Sequence, residues 1–255
     1  MLEYIDSHAH YYSEEFDADR DELLKSIHEG GVKRIINIGC SAESSRQSVG
    51  LAEKYDFIYA AVGIHPEEAN TVKPEDIDTI KQLCGHEKTV AVGEIGLDYH
   101  YEGYDREKQI ALFELQLEMA KELDLPVIIH SRDAIEDTMN VLKKHRPKGV
   151  VHCYTGSAET AKEILRLGMY LGFTGVLTFK NARKAVETVR VAPMDRLLLE
   201  TDCPYMAPEP FRGKRSDSSM IVKVIDKMAE IKGISPEEAA AAATENTYRL
   251  FDRLR

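Results

Sequence analysis

Six imidazole and carboxylate side chains stand where short apolar runs give way to polar or glycine-containing stretches. They are His8 and His10 in YIDSHAH, Glu94 in TVAVGEIG, His130 in LPVIIH, His152 in GVVHCYTG and Asp202 in RLLLETD. Each run reads as a β-strand and each ligand type as its end. Imidazoles and carboxylates converging from the ends of different parallel strands make a catalytic metal site on one face of a barrel. The chemistry such a site supports is hydrolysis by water activated at a divalent cation.

The six differ in what they can contribute. His8 and His10 lie two apart, so on a strand their side chains share one face. An H-x-H pair alone equally fits a polar loop, and its weight comes from the four later ligand types. Asp6 lies on that same face one layer deeper, where it would brace a ligand from behind. Glu94 is flanked by apolar residues, unlike an exposed loop glutamate, and a carboxylate can bridge two cations where one imidazole nitrogen cannot. His130 and His152 close consecutive strands at one height; a single histidine there would read as a core residue. Asp202 could bind metal or take a proton from a bound water; as a bland alternative it would cap a turn. Cys153 and Cys203 adjoin ligands but point to the opposite face, so they read as packing residues.

His65, in AVGIHPE, ends the third strand, and Pro66 holds it extended; it is a substrate contact or a structural residue. Basic residues follow the seventh and eighth strands: Lys180, Arg183 and Lys184, then Arg212, Lys214 and Arg215. Barrels often bind phosphate in these loops. Arg212 and Lys214 are expected to contact substrate there, the alternative being a solvated face.

The elements that must position these groups alternate. Strands are expected near 3–8, 33–39, 57–63, 88–94, 126–130, 149–153, 169–174 and 196–201. Runs such as RIINIG and RLLLE are continuously apolar, as parallel strands buried on both faces are. Helical spacing of Ile110, Phe113, Leu117 and Ala120 marks a helix over 105–124. Ser157 caps another that stops at Gly168. A helix near 218–232 and a last one opened by SPEEAAAAA complete the chain. Eight strand–helix repeats in 255 residues predict an α/β fold, a (β/α)8 TIM barrel, as a single domain over 1–255.

Composition narrows the function classes. The formal net charge of −11 argues against a broad basic groove for nucleic acid. It leaves room for a nucleic-acid substrate at a metal cluster, because bound cations dominate the local field. The four cysteines show no C-x-x-C spacing, so neither a zinc ribbon nor a disulfide framework is expected. Met1 leads directly into the first strand without room for a charged-then-apolar leader, and no apolar run approaches membrane-spanning length. A cytoplasmic protein with reduced thiols is expected, with no membrane association and no obligate protein partner.

The motifs DSHAH, GIHP, GEIGLDY, LPVIIHSRDA, HCYTG, LLLETDCPYMAP, PFRGKR and ENTYRLF occur in this order from about residue 4 to residue 251. Together they resemble the motif series of the TatD family of metal-dependent deoxyribonucleases. The resemblance implies a TIM-barrel metallohydrolase related to amidohydrolases. By motif, His8, His10 and Asp202 would bind one cation, His130 and His152 another, and Glu94 would bridge them. It further implies hydrolysis of DNA phosphodiesters, often as a 3′→5′ exonuclease. Two departures stand out: Arg215 is followed by Ser216-Asp217-Ser218 where Asn-Glu-Pro is usual, and Tyr154 replaces a usual Phe. The resulting expectation is a two-metal deoxyribonuclease using Mg, Mn or Zn, with Glu94 and Asp202 catalytic. The alternatives are a hydrolase of a small amide or lactone, since fold does not fix function, and a non-catalytic metal-binding protein. Six intact ligand types argue against the latter.

Overall fold

A computed structural model describes residues 2–254; Met1 and Arg255, included in the 1–255 domain reading, lie outside them. The described residues contain eight strands: β1 (Tyr4–Ala9), β2 (Val32–Ile38), β3 (Ile58–Val62), β4 (Thr89–Asp98), β5 (Val127–Arg132), β6 (Gly149–Val151), β7 (Tyr170–Phe173) and β8 (Leu197–Leu199). Between and after them run α1 (Arg20–Glu29), α2 (Ala42–Lys54), α3 (Pro74–Leu83), α4 (Arg106–Glu122), α5 (Ile135–His145), α6 (Ala158–Arg166), α7 (Arg183–Val191), α8 (Ile221–Lys232) and α9 (Pro236–Leu250). The strands pair in parallel in sequence order from β1 to β8. The ring closes where Ala9 pairs with Cys203, the His10 amide donates to the Cys203 carbonyl at 2.8 Å and the Asp202 amide donates to the His8 carbonyl at 2.9 Å. This is the expected TIM barrel.

Local signals act where the sequence puts them. The Ser157 hydroxyl accepts from the Thr160 amide to open α6, and Gly168 follows that helix with a φ of +87°. Ser235 and Glu238 form a reciprocal capping box at the start of α9. A short 3-10 turn, Ser218–Met220, leads into α8, so the regular helix starts three residues later than expected.

Strand alternation splits the apolar residues into two cores. One packs the outer faces of the strands against helices, with Leu24, Val49, Ile80, Phe113 and Val224 among its helical members. The other fills the barrel interior with Ile36, Ile38, Ala61, Val90, Ile128, Val150, Tyr170 and Leu198, and is plugged from below by Leu250, Phe251 and Leu254. Two residues further along the same interior face come His130 after Ile128, His152 after Val150 and Glu200 after Leu198. The period of two carries the chain from an apolar floor to a polar mouth within one step.

The fourth strand departs from expectation. It does not end at Glu94 but continues to Asp98, with a shift of register against β5 between Val92 and Ile95. Gly96 sits within this irregular stretch at φ +145°, and a Cβ there would overlap the carbonyl oxygen of His130. His130 likewise lies inside β5, and Asp202 lies three residues beyond β8.

Gly96→Ala should therefore destabilise the barrel by about 1–3 kcal/mol, the usual cost of overpacking, with further strain from the positive φ. Urea denaturation of variant and wild type measures this; coincident midpoints would contradict the packing described.

Candidate metal centre

All six expected ligands meet at the barrel mouth. His8 Nε2 lies 3.2 Å from His10 Nε2, and His10 Nε2 lies 3.2 Å from Asp202 Oδ1. Glu94 divides its two oxygens. Oε2 lies 3.4 Å from His8 Nε2, while Oε1 lies 2.6 Å from His152 Nε2 and 2.8 Å from His130 Nδ1. The sets His8–His10–Glu94, His8–His152–Asp202 and Glu94–His130–His152 each bring their ligand atoms within 4.8 Å of one another.

The neighbours fix which nitrogen faces inward. His10 Nδ1 lies 2.9 Å from the Ile38 carbonyl, which can only accept, so the proton sits on Nδ1 and Nε2 is free to ligate. His130 Nε2 lies 2.9 Å from Asp98 Oδ2, which turns Nδ1 toward Glu94. A carboxylate behind a ligating imidazole raises its basicity and holds its orientation. His8 and His152 stack with ring centroids 4.0 Å apart. Among the described residues their Nδ1 atoms have no partner.

Burial and proximity set the charges. Burial, with repulsion from His152, pushes His8 down to about 4. Burial alone would raise Glu94, but the His152 and His8 charges and hydrogen bonds from His130 and His152 hold it well below the usual carboxylate range. Burial opposes protonation of His130, yet hydrogen bonds to Asp98 and Glu94 lift it to about 9. Glu200 is the contrasting acid: burial drives it up to about 8. Its carboxylate accepts from the Cys153 amide at 2.9 Å and occupies the space left by the missing side chain of Gly172.

The donor set fits divalent cations. Four imidazoles and two carboxylates are crowded together, with imidazole nitrogens 3.2 Å apart that repel unless a proton or cation lies between them. Mixed nitrogen and carboxylate ligation suits zinc or manganese, and magnesium at the carboxylate-rich side.

Around the ligands opens a cavity of about 750 Å³. His65 is in its wall, with Nε2 4.0 Å from Glu94 Oε1 and Nδ1 accepting from the Glu67 amide at 3.3 Å. His65, Asp98 and His130 form a further set of converging ligand atoms. Arg212 and Lys214 are absent from the lining. The Arg212 guanidinium instead lies 4.0 Å from the centre of the Phe179 ring, and the Lys214 ammonium lies 5.9 Å from that of Phe211. Arg215 pairs with Asp19 at 2.6 Å, and Lys180, Arg183 and Lys184 also lie outside the lining. Among the described lining residues the one Arg or Lys is Arg132, at the end of β5.

Two other expectations change. Asp6 does not touch an imidazole ring; its carboxylate accepts from the His8 and Thr201 amides and from the hydroxyls of Thr201 and Ser218, both at 2.6 Å. The departure at Ser216-Asp217-Ser218 thus supplies a brace under β1, while the Asp217 side chain caps the turn that leads to α8. Cys153 is not simply packing: its φ of +44° breaks the strand alternation and brings it into the cavity wall, whereas Cys203 is fully buried. Asp98, Glu200 and Arg132 went unread in the sequence. Asp98 follows Glu94 by four residues, an even spacing that would have flagged it had the strand been continued past Glu94.

The TatD related DNase family model matches residues 5–252. The chain is 45% identical over 250 residues to "Uncharacterized metal-dependent hydrolase YabD" of Bacillus subtilis, covering 97% of this chain and 98% of that protein. It is 33% identical over 249 residues to "3'-5' ssDNA/RNA exonuclease TatD" of Erwinia tasmaniensis, covering 94% and 96% respectively. The solved structure of the TatD homolog YjjV from Escherichia coli superposes with a TM-score of 0.93 at 34% identity, covering 98% of each chain. With the barrel, the ligand cluster and these likenesses in agreement, the chain belongs to the TatD family of metal-dependent hydrolases.

Proposed function

We propose that this protein is a two-metal phosphodiesterase that removes nucleotides from the 3′ end of single-stranded DNA. The observation that carries the two-metal reading is the division of Glu94, one oxygen toward His8 and the other toward His130 and His152. His8, His10 and Asp202 would hold one cation, His130 and His152 the other, with Glu94 between. When bound, the cations would supply Lewis acidity toward water and neutralise charge on the phosphate. The Erwinia relative's name supports a nucleic-acid substrate and a 3′→5′ direction.

The chain's own groups do the rest. Asp202 is buried, yet its hydrogen bond with His10 and the nearby imidazoles keep it below the usual carboxylate range, so it is ionised and can accept the attacking water's proton. Asp98 holds the His130 ring at a fixed angle. His65 stands over the same floor, placed to contact the scissile phosphate. The four cysteines are unpaired, which suits a reducing cytoplasm, and among the described residues no helix is long and apolar enough to cross a membrane.

Hydrolysis of 3′-labelled single strands, duplex DNA, RNA and small amides by metal-reconstituted protein tests the reading. Early release of the 3′ label is expected. Cleavage of amides or lactones with no nuclease activity under any metal would replace it.

Chelation should abolish hydrolysis while circular dichroism stays near its starting value, because the barrel has its own packed core. Unfolding at the same chelator concentration would make the metal structural. Glu94→Gln should lose both turnover and metal, since an amide bridges two cations poorly. Asp202→Asn should lose turnover by about 100-fold or more, as general-base loss does; wild-type turnover at saturating metal would remove either residue from the mechanism.

Asp98→Asn should weaken metal binding by about 10- to 100-fold, as removal of a ligand's outer partner does. Metal titration followed by calorimetry reads this directly, and unchanged affinity would free Asp98 of the role.

A further inference from the structure

Large apolar and aromatic side chains of this protein are mostly buried. Among the described residues seven remain exposed, and three of those, Tyr101, Tyr205 and Met206, line the cavity around the ligand cluster. Tyr101 is 56% exposed and Tyr205 is 55% exposed, the largest values of the seven. Tyr101 stands in the loop between β4 and α4, and Tyr205 in the loop after β8. In a ring ordered β1 to β8 those strands are four places apart, so the two tyrosines belong to loops on opposite sides of the mouth.

Tyr101 is also held. The Arg132 guanidinium lies 5.2 Å from its ring centre, and Nη1 donates to its hydroxyl at 3.3 Å. The His100 ring packs edge-on against the Tyr101 ring with centroids 5.0 Å apart, and more than half of Tyr101 stays exposed. Outside the ligand cluster and Asp98, the acidic lining residues are Glu67 and Glu68. The lining thus offers a phosphate backbone one cationic side chain, Arg132, besides whatever cations the ligand cluster holds. A nucleic-acid strand therefore needs an uncharged source of affinity at the rim, and every nucleobase carries a π-face for an aromatic ring. A small amide would have no use for two rings on opposite sides of the opening.

We infer that Tyr101 and Tyr205 are stacking platforms for the two nucleobases on either side of the scissile phosphate, with Arg132 contacting the adjoining phosphate. This rests on the nuclease reading and adds to it the part of the substrate that the protein grips. Stacking on every base without reading its edge predicts tolerance of sequence and a requirement for unpaired ends.

The test is a comparison of Tyr101→Ala, Tyr205→Ala and Tyr205→Phe on single-stranded DNA and on the same oligonucleotide lacking its last two bases. Each alanine variant should raise KM on the intact strand by about 10-fold, within the span of base–aromatic stacking, with a smaller change in kcat. Tyr205→Phe should keep the wild-type KM. The penalties should largely vanish on the base-free strand, where the wild type has already lost the same contacts. A 3′-terminal 2-aminopurine should be quenched on binding to the wild type and less so on binding to Tyr205→Ala. Wild-type KM and quenching in both alanine variants, with DNA still hydrolysed, would overturn the stacking inference alone. Absence of any nuclease activity in the wild type would overturn it together with the reading beneath it.

Discussion

Glu94 carries a negative charge in a buried layer where four imidazoles crowd around it. A lone carboxylate there would be protonated, because removing its charge from water costs several kcal/mol. Its partners reverse that preference, and in doing so they fix the positions of His8, His130 and His152. Glu200, on the same interior face, has the His152 charge and the Cys153 amide to favour ionisation, but burial outweighs them and it sits at about 8. Two glutamates of one barrel are thus set to opposite charge states by what surrounds them. The backbone makes this possible: β4 shifts register beside Glu94, and Gly96 lets β5 come close enough for His130 to reach it.

A second constraint lies at the seam between β1 and the segment after β8. Asp6 ties the His8 amide, Thr201 and Ser218 into one hydrogen-bonded knot. Tyr11 joins it, accepting from the Ser218 amide at 2.8 Å. The knot lies beneath both His8 and Asp202, so closure of the barrel and placement of ligands from its first and last strands are the same event. Arg215, pairing with Asp19 and lying over the Phe16 ring, extends this seam outward.

Much of this was legible in the sequence. The apolar runs announced parallel strands, and the even spacing of His8 and His10 announced a shared face. The same period links Ile128 to His130 and Val150 to His152. The reading stopped where backbone geometry leaves the regular pattern. The fourth strand was expected to stop at Glu94, yet it continues through a shifted register, and that hid Asp98. Cys153 was assigned by alternation, which its left-handed backbone breaks. Arg212 and Lys214 were expected at the mouth from the loop they occupy; they lie outside the cavity lining, beside Phe179 and Phe211. No spacing rule reports that Arg212 would meet Phe179, far away in the chain, nor that Arg132 would meet Tyr101.

The apolar plug of Leu250, Phe251 and Leu254 closes the barrel opposite the ligand cluster, and the interior between is filled by Ile36, Ile128, Val150 and Leu198. The site is therefore the bottom of a blind well, not a station along a tunnel. A polymer end can be dipped into it but cannot be threaded through. On the proposed nuclease reading, whatever is cut off would leave by the opening that admitted the strand. Entry and exit thus share one door, and anything bound at the ligand cluster blocks the next arrival until it has gone.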